Sequence, residues 1–226
     1  SSQARRSPNN LFPCGEEAQT DPETGPTDGL LARLRALGKV PRLMYTYTSS
    51  EYWGGHGAMV HIDLTGQRDL DLPAAVRVYH FGGTQHSLGP FELSDRDATN
   101  GFRAQRYFNW VDYRPLIRAA LLNLDRWVTS GELPPASQYP RLDNGTAVPP
   151  ETALQTLTGI PGVHTPKPLR SLPRLDFGPD EGVATHVPPR IGTPYPCLVP
   201  AVDQDVNEVC GVRLPFHTVP LATYTG

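Results

Sequence analysis

The sequence predicts an α/β protein: a parallel sheet with flanking helices, followed by a Pro-rich, partly β extension. Three observations carry this reading. Residues 42–48 and 76–81 are strand-length runs rich in β-branched, aromatic and aliphatic side chains. Helical patterns precede the first run, lie between the two and follow the second, and strands alternating with helices pack as a parallel sheet. Each run also delivers a chemistry-bearing side chain just past its end, Glu51 after the first and His86 after the second.

The elements follow in order. Residues 1–27 are polar and turn-rich, and Asp21-Pro22-Glu23-Thr24-Gly25-Pro26 argues against any regular element there. The start Ser1-Ser2-Gln3-Ala4-Arg5-Arg6 reads as a cut or frayed end, without an initiator Met or a secretory leader pattern. Asp28 is a good N-cap for a short helix carrying Leu30, Leu31, Leu34 and Leu37 on one face, with Gly38 as the residue after its end. The first strand then runs into Glu51, and residues 52–62 read as a helix weakened by Gly54, Gly55 and Gly57. Asp63-Leu64-Thr65-Gly66 is a turn ahead of the second strand. A long polar loop over residues 87–109 leads to the best helix in the chain, where Ile117, Ala120, Leu121, Leu124, Trp127 and Val128 recur at helical spacing between Pro115 and Gly131. From Glu132 onward Pro134-Pro135, Pro149-Pro150 and Pro188-Pro189 punctuate segments with few helical signals. The core is therefore assigned to residues 1–142 and the extension, packed on the same domain, to residues 143–226. Within the extension, residues 197–202 and 208–214 flank Asp203-Gln204-Asp205-Val206-Asn207 as the arms of a hairpin.

Composition excludes several function classes. With 20 basic against 23 acidic residues and no basic run, neither nucleic acid nor an anionic membrane surface is an expected partner. No apolar stretch approaches the ~20 residues that span a bilayer. The 25 prolines and 21 glycines, about a fifth of the chain, require much of the backbone to be turns and extended loops. Three cysteines are too few for a disulfide framework; Cys197 and Cys210 either pair across the hairpin or remain free thiols, with Cys14 odd. Asn144-Gly145-Thr146 matches a glycosylation sequon, which matters only in a eukaryotic secretory setting. The location is open, with an exported one weighed ahead of a cytoplasmic one.

Glu51 and His86 are the candidate catalytic pair. They are far enough apart for one helical crossover between neighbouring parallel strands, so both can reach one edge of the sheet. An imidazole that takes a proton from a nucleophile needs a carboxylate to fix its tautomer and stabilise its charged form. The plain alternatives are a helix-start carboxylate for Glu51 and a polar loop residue for His86. Asp63, Asp69 and Asp71 are rival acids, but all precede the second strand, in a stretch expected at the opposite edge. Ser49, Ser50 and Ser87 lie nearby without a nucleophile-elbow context, since no Gly-x-Ser-x-Gly occurs in the chain; Ser50 reads as the cap of the helix that begins at Glu51. His56 and His61 lack the His-Glu-x-x-His metal pattern, His80 reads as packed within its strand, and Asp203-x-Asp205-x-Asn207 lacks the later residues of a calcium loop, so no metal and no cofactor are expected. In the loop after His86, Phe91, Phe102, Tyr107, Phe108 and Trp110 either wall an apolar acyl or aromatic pocket or pin the loop to the core.

Thr48-Ser49-Ser50-Glu51-Tyr52-Trp53-Gly54, Val76-Arg77-Val78-Tyr79 and Gly83-Thr84-Gln85-His86 resemble the large α/β-hydrolase-domain family of mostly uncharacterised bacterial proteins. The resemblance continues through Arg114-Pro115-Leu116-Ile117-Arg118-Ala119-Ala120-Leu121, Val199-Pro200-Ala201-Val202-Asp203, Arg213-Leu214-Pro215 and the closing Thr223-Tyr224-Thr225-Gly226, and reaches back to Thr27-Asp28-Gly29-Leu30-Leu31, nearly the whole chain. It implies the C-terminal half of an α/β-hydrolase fold, whose triad runs nucleophile, acid, histidine. It further implies a longer parent with the nucleophile elbow upstream, His86 as general base and Glu51 as its acid; Trp53, Phe102 and Tyr107 are the candidate substrate contacts. The reaction implied is hydrolysis of a carboxylic ester or related acyl bond, with the missing half bound as a partner; a non-catalytic binding module and an acyltransferase are the rivals.

Overall fold

The structure is a computed structural model and describes residues 12–98, 101–161, 165, 171–179 and 183–225. The frayed-end reading of residues 1–6 and the terminal Gly226 fall outside the described residues.

The N-terminal stretch contains a small antiparallel pair, β1 (Gln19–Thr20) and β2 (Thr27–Asp28), where no regular element was expected. The Asp21 carboxylate accepts the N–H groups of Glu23 and Thr24, so the Pro-Glu-Thr-Gly turn is what joins the two strands. Asp28 therefore belongs to β2, and its side chain accepts the Gly29 N–H and caps no helix. The first helix, α1, is only Ala32–Ala36; Leu31 is buried, whereas Leu30, Leu34 and Leu37 are exposed. Gly38 ends it as expected, in the left-handed conformation (φ 67°), with Lys39 N–H donating to the Leu34 carbonyl.

β3 (Leu43–Thr48) and β4 (Val76–Phe81) form a parallel pair in unbroken register, from Leu43 opposite Val76 to Thr48 opposite Phe81. β4 is buried along almost its whole length, as a strand covered on both faces must be. Val76, Val78 and Tyr139 form one apolar cluster beside it. The crossover between the strands is not one helix. α2 (Ser49–Trp53) stops at Gly54, Gly55 turns left-handed (φ 90°), and a 3-10 turn (Gly57–Val60) follows. A Cβ on Gly57 would lie 2.9 Å from the Tyr52 nitrogen, so the fold at this point requires glycine. Tyr52, Ala58 and Ile62 then pack with Ala147 and Leu198 of the extension.

α3 (Arg114–Thr129) matches its predicted range, with Pro115 in the first turn. It buries Ala120 and Trp127, and the guanidinium groups of Arg42 and Arg77 lie 5.0 and 5.1 Å from the Trp127 ring centre. Leu121, Leu122 and Val128 on the same helix are exposed. In the extension, β5 (Ala147–Val148) precedes α4 (Pro150–Thr158), a helix that the proline pair concealed: Pro150 occupies the first helical turn, where its missing N–H costs nothing. β6 (Pro173–Asp176) and β7 (Arg190–Pro194) form an antiparallel pair, and β8 (Val199–Pro200) joins β5. The expected 197–214 hairpin is thus reduced to one bridge, Val202 with Glu208, around a loop in which Asp203 accepts the N–H groups of Asp205 and Asn207. Beyond that bridge the chain leaves β8, Val212 bridges in parallel to Phe81, and a short helix, α5 (Pro215–Thr218), follows. Cys197 and Cys210 are free thiols, so the Cys197–Cys210 disulfide does not form. No helix among the described residues is long and apolar enough to cross a membrane.

His61 ties this core to pH. Its ring is fully buried, receives the Tyr52 hydroxyl at Nε2 (2.9 Å), and burial lowers its pKa from 6.5 to about 3. The unfolded chain binds this proton below pH 6.5 and the folded chain does not, so the His61 contribution to stability is intact above 6.5 and is lost progressively as pH falls toward 3. Denaturant titrations at successive pH values should show a loss approaching ~1.4 kcal/mol per pH unit in that window from this group alone, reduced when His61 is replaced by Gln.

Candidate active site

The β3–β4 register brings two loops out at the same edge, because Thr48 and Phe81 end their strands side by side. The loops are joined directly by the Ser49 N–H to the Thr84 carbonyl (2.9 Å). Thr48 and Glu51 form a capping box: Glu51 Oε2 accepts both the backbone N–H (2.7 Å) and the hydroxyl of Thr48. This anchors one carboxylate oxygen and turns the other, Oε1, toward the second loop, where it meets His86 Nδ1 at 2.7 Å. The predicted pair is therefore in contact. Burial alone would raise the Glu51 pKa, but the hydrogen bonds from the Thr48 hydroxyl, His86 and the Thr48 amide outweigh it and hold the carboxyl below its ordinary value. Glu51 thus stays ionised and faces Nδ1, which fixes the proton there and leaves Nε2 as the free face of a ring whose side chain is 79% exposed.

Two further contacts locate His86. Its N–H donates to Ser50 Oγ (2.9 Å), and its carbonyl accepts the Tyr113 hydroxyl (2.7 Å). Ser50 is consequently not the helix cap expected from its position; Thr48 has that place, and Ser50 braces the histidine loop instead. Tyr113, immediately before α3, carried no signal that separated it from other loop aromatics. The rival acids lie elsewhere, as their place before β4 required. Asp63 accepts backbone N–H groups of its own turn, and Asp69 accepts those of Leu142 and Asp143.

Behind the exposed pair sits a second carboxylate–imidazole pair that sequence reasoning missed. Glu208, buried, accepts at one oxygen, Oε2, from Ser49 Oγ, His80 Nε2 and the Gly83 N–H, each at 2.8 Å. Burial would raise its pKa, but the His80 ring and the hydrogen bonds from His80, Gly83 and Ser49 hold the carboxyl below the ordinary value. His217 Nε2 donates to the Glu208 carbonyl (2.9 Å) and packs on Gly83, whose φ of 66° and missing Cβ admit the ring. The signal was present only in part: His80 reads as packed within its strand, whereas Glu208 follows Asn207 and stands close to Asp203 and Asp205, in a polar turn where a carboxylate is ordinary.

A cavity of about 520 Å³ is walled by Trp53, Tyr107, Phe108, Trp110, Leu154 and Leu157, with neither Glu51 nor His86 in its wall. Asn109, also in its wall, connects it to the histidine loop: its N–H donates to Gln85 Oε1 (2.9 Å) and its side-chain amide donates to the Gly83 and Thr225 carbonyls. Of the predicted contacts, Trp53 and Tyr107 line this cavity. Phe102 does not; it is half exposed and packs near Phe108, at 6.1 Å between ring centres. Phe91 points outward too, beside Trp110. No group of three or more His, Cys, Asp or Glu side chains placed to hold a metal occurs among the described residues.

Removing the Thr48 hydroxyl tests the local account. Thr48→Ala should lower stability by ~1 kcal/mol and Thr48→Ser should restore it, read from denaturant midpoints.

With this geometry in place, comparison with known proteins adds one finding. The family described as alpha/beta hydrolase domain matches residues 13–226. No curated protein and no solved structure matches the chain.

Proposed function

The chain belongs to the alpha/beta hydrolase domain family, and on that premise we propose that it supplies the acid and the histidine of a serine-hydrolase triad. The substrate is a carboxylic ester or related acyl bond, cleaved through an acyl-enzyme. The observation that carries the reading is the 2.7 Å contact between Glu51 Oε1 and His86 Nδ1 at the carboxyl edge of a parallel pair. In such a triad the carboxylate occupies Nδ1, and Nε2 takes the proton of the attacking hydroxyl and later returns it to the leaving group. Glu51 holds the ring in the required tautomer and stabilises the imidazolium as it forms.

Neither Ser49 nor Ser50 is the nucleophile in this reading. Ser49 is buried and donates to Glu208, and Ser50 is engaged by the His86 amide. The serine comes from polypeptide other than these 226 residues, consistent with a chain order in which the nucleophile precedes the acid. β3 pairs only with β4 among the described residues, and its other edge is the natural place for the strand bearing that serine. The cavity beside Trp53 and Tyr107 receives the acyl or aryl part of the substrate, because its walls are mainly apolar.

In the nucleophile-bearing protein, a fluorophosphonate probe should label the serine. Labelling should slow by roughly 10⁶-fold in His86→Ala and by roughly 10⁴-fold in Glu51→Gln. An unreactive wild-type protein would sink the hydrolase reading in favour of a non-catalytic module. Filling the cavity with Leu157→Trp should shift ester preference toward shorter acyl chains, whereas Phe102→Ala should leave the chain-length profile unchanged.

A further inference from the structure

The three donors on Glu208 come from the places that matter most to the exposed pair. Ser49 opens α2, two residues before Glu51. Gly83 lies three residues before His86. His80 is in β4 itself, fully buried, with the edge of the Tyr52 ring against it at 4.8 Å between ring centres. All three converge on a single oxygen. Placing an ionised carboxylate in a protein interior is costly unless several donors compensate, and the Glu208 carboxyl is held below its ordinary value by those donors. His80 Nδ1 is buried and meets no partner, which fits a ring protonated at Nε2 and aimed at the carboxylate. Glu208 is itself fixed from behind: Val202 bridges to it across the 203–207 loop and His217 donates to its carbonyl.

We infer that Glu208 is a positioning residue for the acid–histidine pair: one buried carboxylate oxygen holds the loop that carries Glu51 and the loop that carries His86 at a fixed separation. The inference rests on the catalytic reading of Glu51 and His86, and it places control of their geometry in the C-terminal segment. Glu208 touches neither the substrate nor the reacting atoms. It acts through Ser49 and Gly83. Replacing it by Gln keeps the shape but removes the charge: the amide oxygen takes the place of Oε2, where all three donors converge, and its NH2 group takes the place of Oε1. The three hydrogen bonds then lose their charge assistance, which leaves each roughly half as strong.

The test uses the nucleophile-bearing protein and two readouts. Steady-state hydrolysis of a soluble ester should show kcat reduced about a hundredfold in Glu208→Gln, with KM little changed. The downfield proton resonance of the His86–Glu51 hydrogen bond, assigned by its loss in Glu51→Gln, should weaken or disappear in Glu208→Gln while circular dichroism stays native. A folded Glu208→Gln with wild-type kcat and an intact resonance overturns the inference. Should Glu208→Gln fail to fold, Ser49→Ala decides: a lower kcat at constant KM with a weakened resonance supports the clamp, and wild-type behaviour in both overturns it. If the wild-type protein hydrolyses no ester, the hydrolase reading falls, and the resonance alone decides the clamp in the same variants.

Discussion

Six successive residue pairs between β3 and β4, running parallel from Leu43–Val76 to Thr48–Phe81, constrain everything that follows them. Parallel strands end at the same edge, so loops that leave them must diverge from neighbouring points. A slip of one residue would turn every side chain of one strand to the opposite face. It would also move Ser49 away from the Thr84 carbonyl and part Glu51 from His86. The buried apolar positions of β4, Val76, Val78 and Phe81, resist such a slip because each would be forced into a packed space shaped for a different side chain. Packing in the strand is thus what sets a polar distance beyond its end.

The protein uses the same chemical pairing twice, in two different environments. Glu51–His86 lies at the surface, with the imidazole largely solvated. Such an exposed pair contributes little to stability, about 0–1 kcal/mol in general, and in the proposed function its value lies in presenting Nε2 to a reactant. Glu208–His80 lies in the interior with both side chains almost wholly inaccessible. There the pair cannot serve a solvent-borne reactant, but losing one partner would strand a buried charge at a cost of several kcal/mol. Under the proposed function, exposure divides the reactive from the supporting pair where residue identity does not.

How much was legible follows from how local each signal is. β3, β4 and α3 could be read because their patterns are internal to a few turns or residues, and Glu51 and His86 because they stand at fixed offsets from strand ends. α2 was misread as a longer helix because Gly55 and Gly57 answer to contacts with Leu172 and Tyr52 and not to helical periodicity. α4 was hidden by Pro149-Pro150, since a proline pair reads as punctuation until the register shows Pro150 in a first turn. Glu208 was out of reach for another reason. Its partners Ser49, His80 and Gly83 are more than a hundred residues away in the chain, and only the fold joins this carboxylate, one of several acids in its stretch, to them. Phe102 and Tyr107 show the limit for loop aromatics: similar residues on one loop, both largely exposed, of which Tyr107 lines the cavity and Phe102 does not, with no periodicity to tell them apart.

The extension is part of this arrangement and no mere appendage. Val212 continues the edge of β4 by bridging to Phe81, Ala147 and Leu198 complete the cluster around Tyr52, and Leu154 and Leu157 of α4 close the cavity opposite Trp53. Asn109 draws these together, bonding the Gly83 carbonyl on the histidine loop and the Thr225 carbonyl near the chain terminus with one amide group. A displacement of the 222–225 segment would therefore act on the cavity wall and on the His86 loop at once. For a fold in which loops carry the reacting groups, this is a physical reason for so Pro-rich a tail: proline fixes its backbone in advance, so less conformational entropy is lost when the tail is ordered against the site.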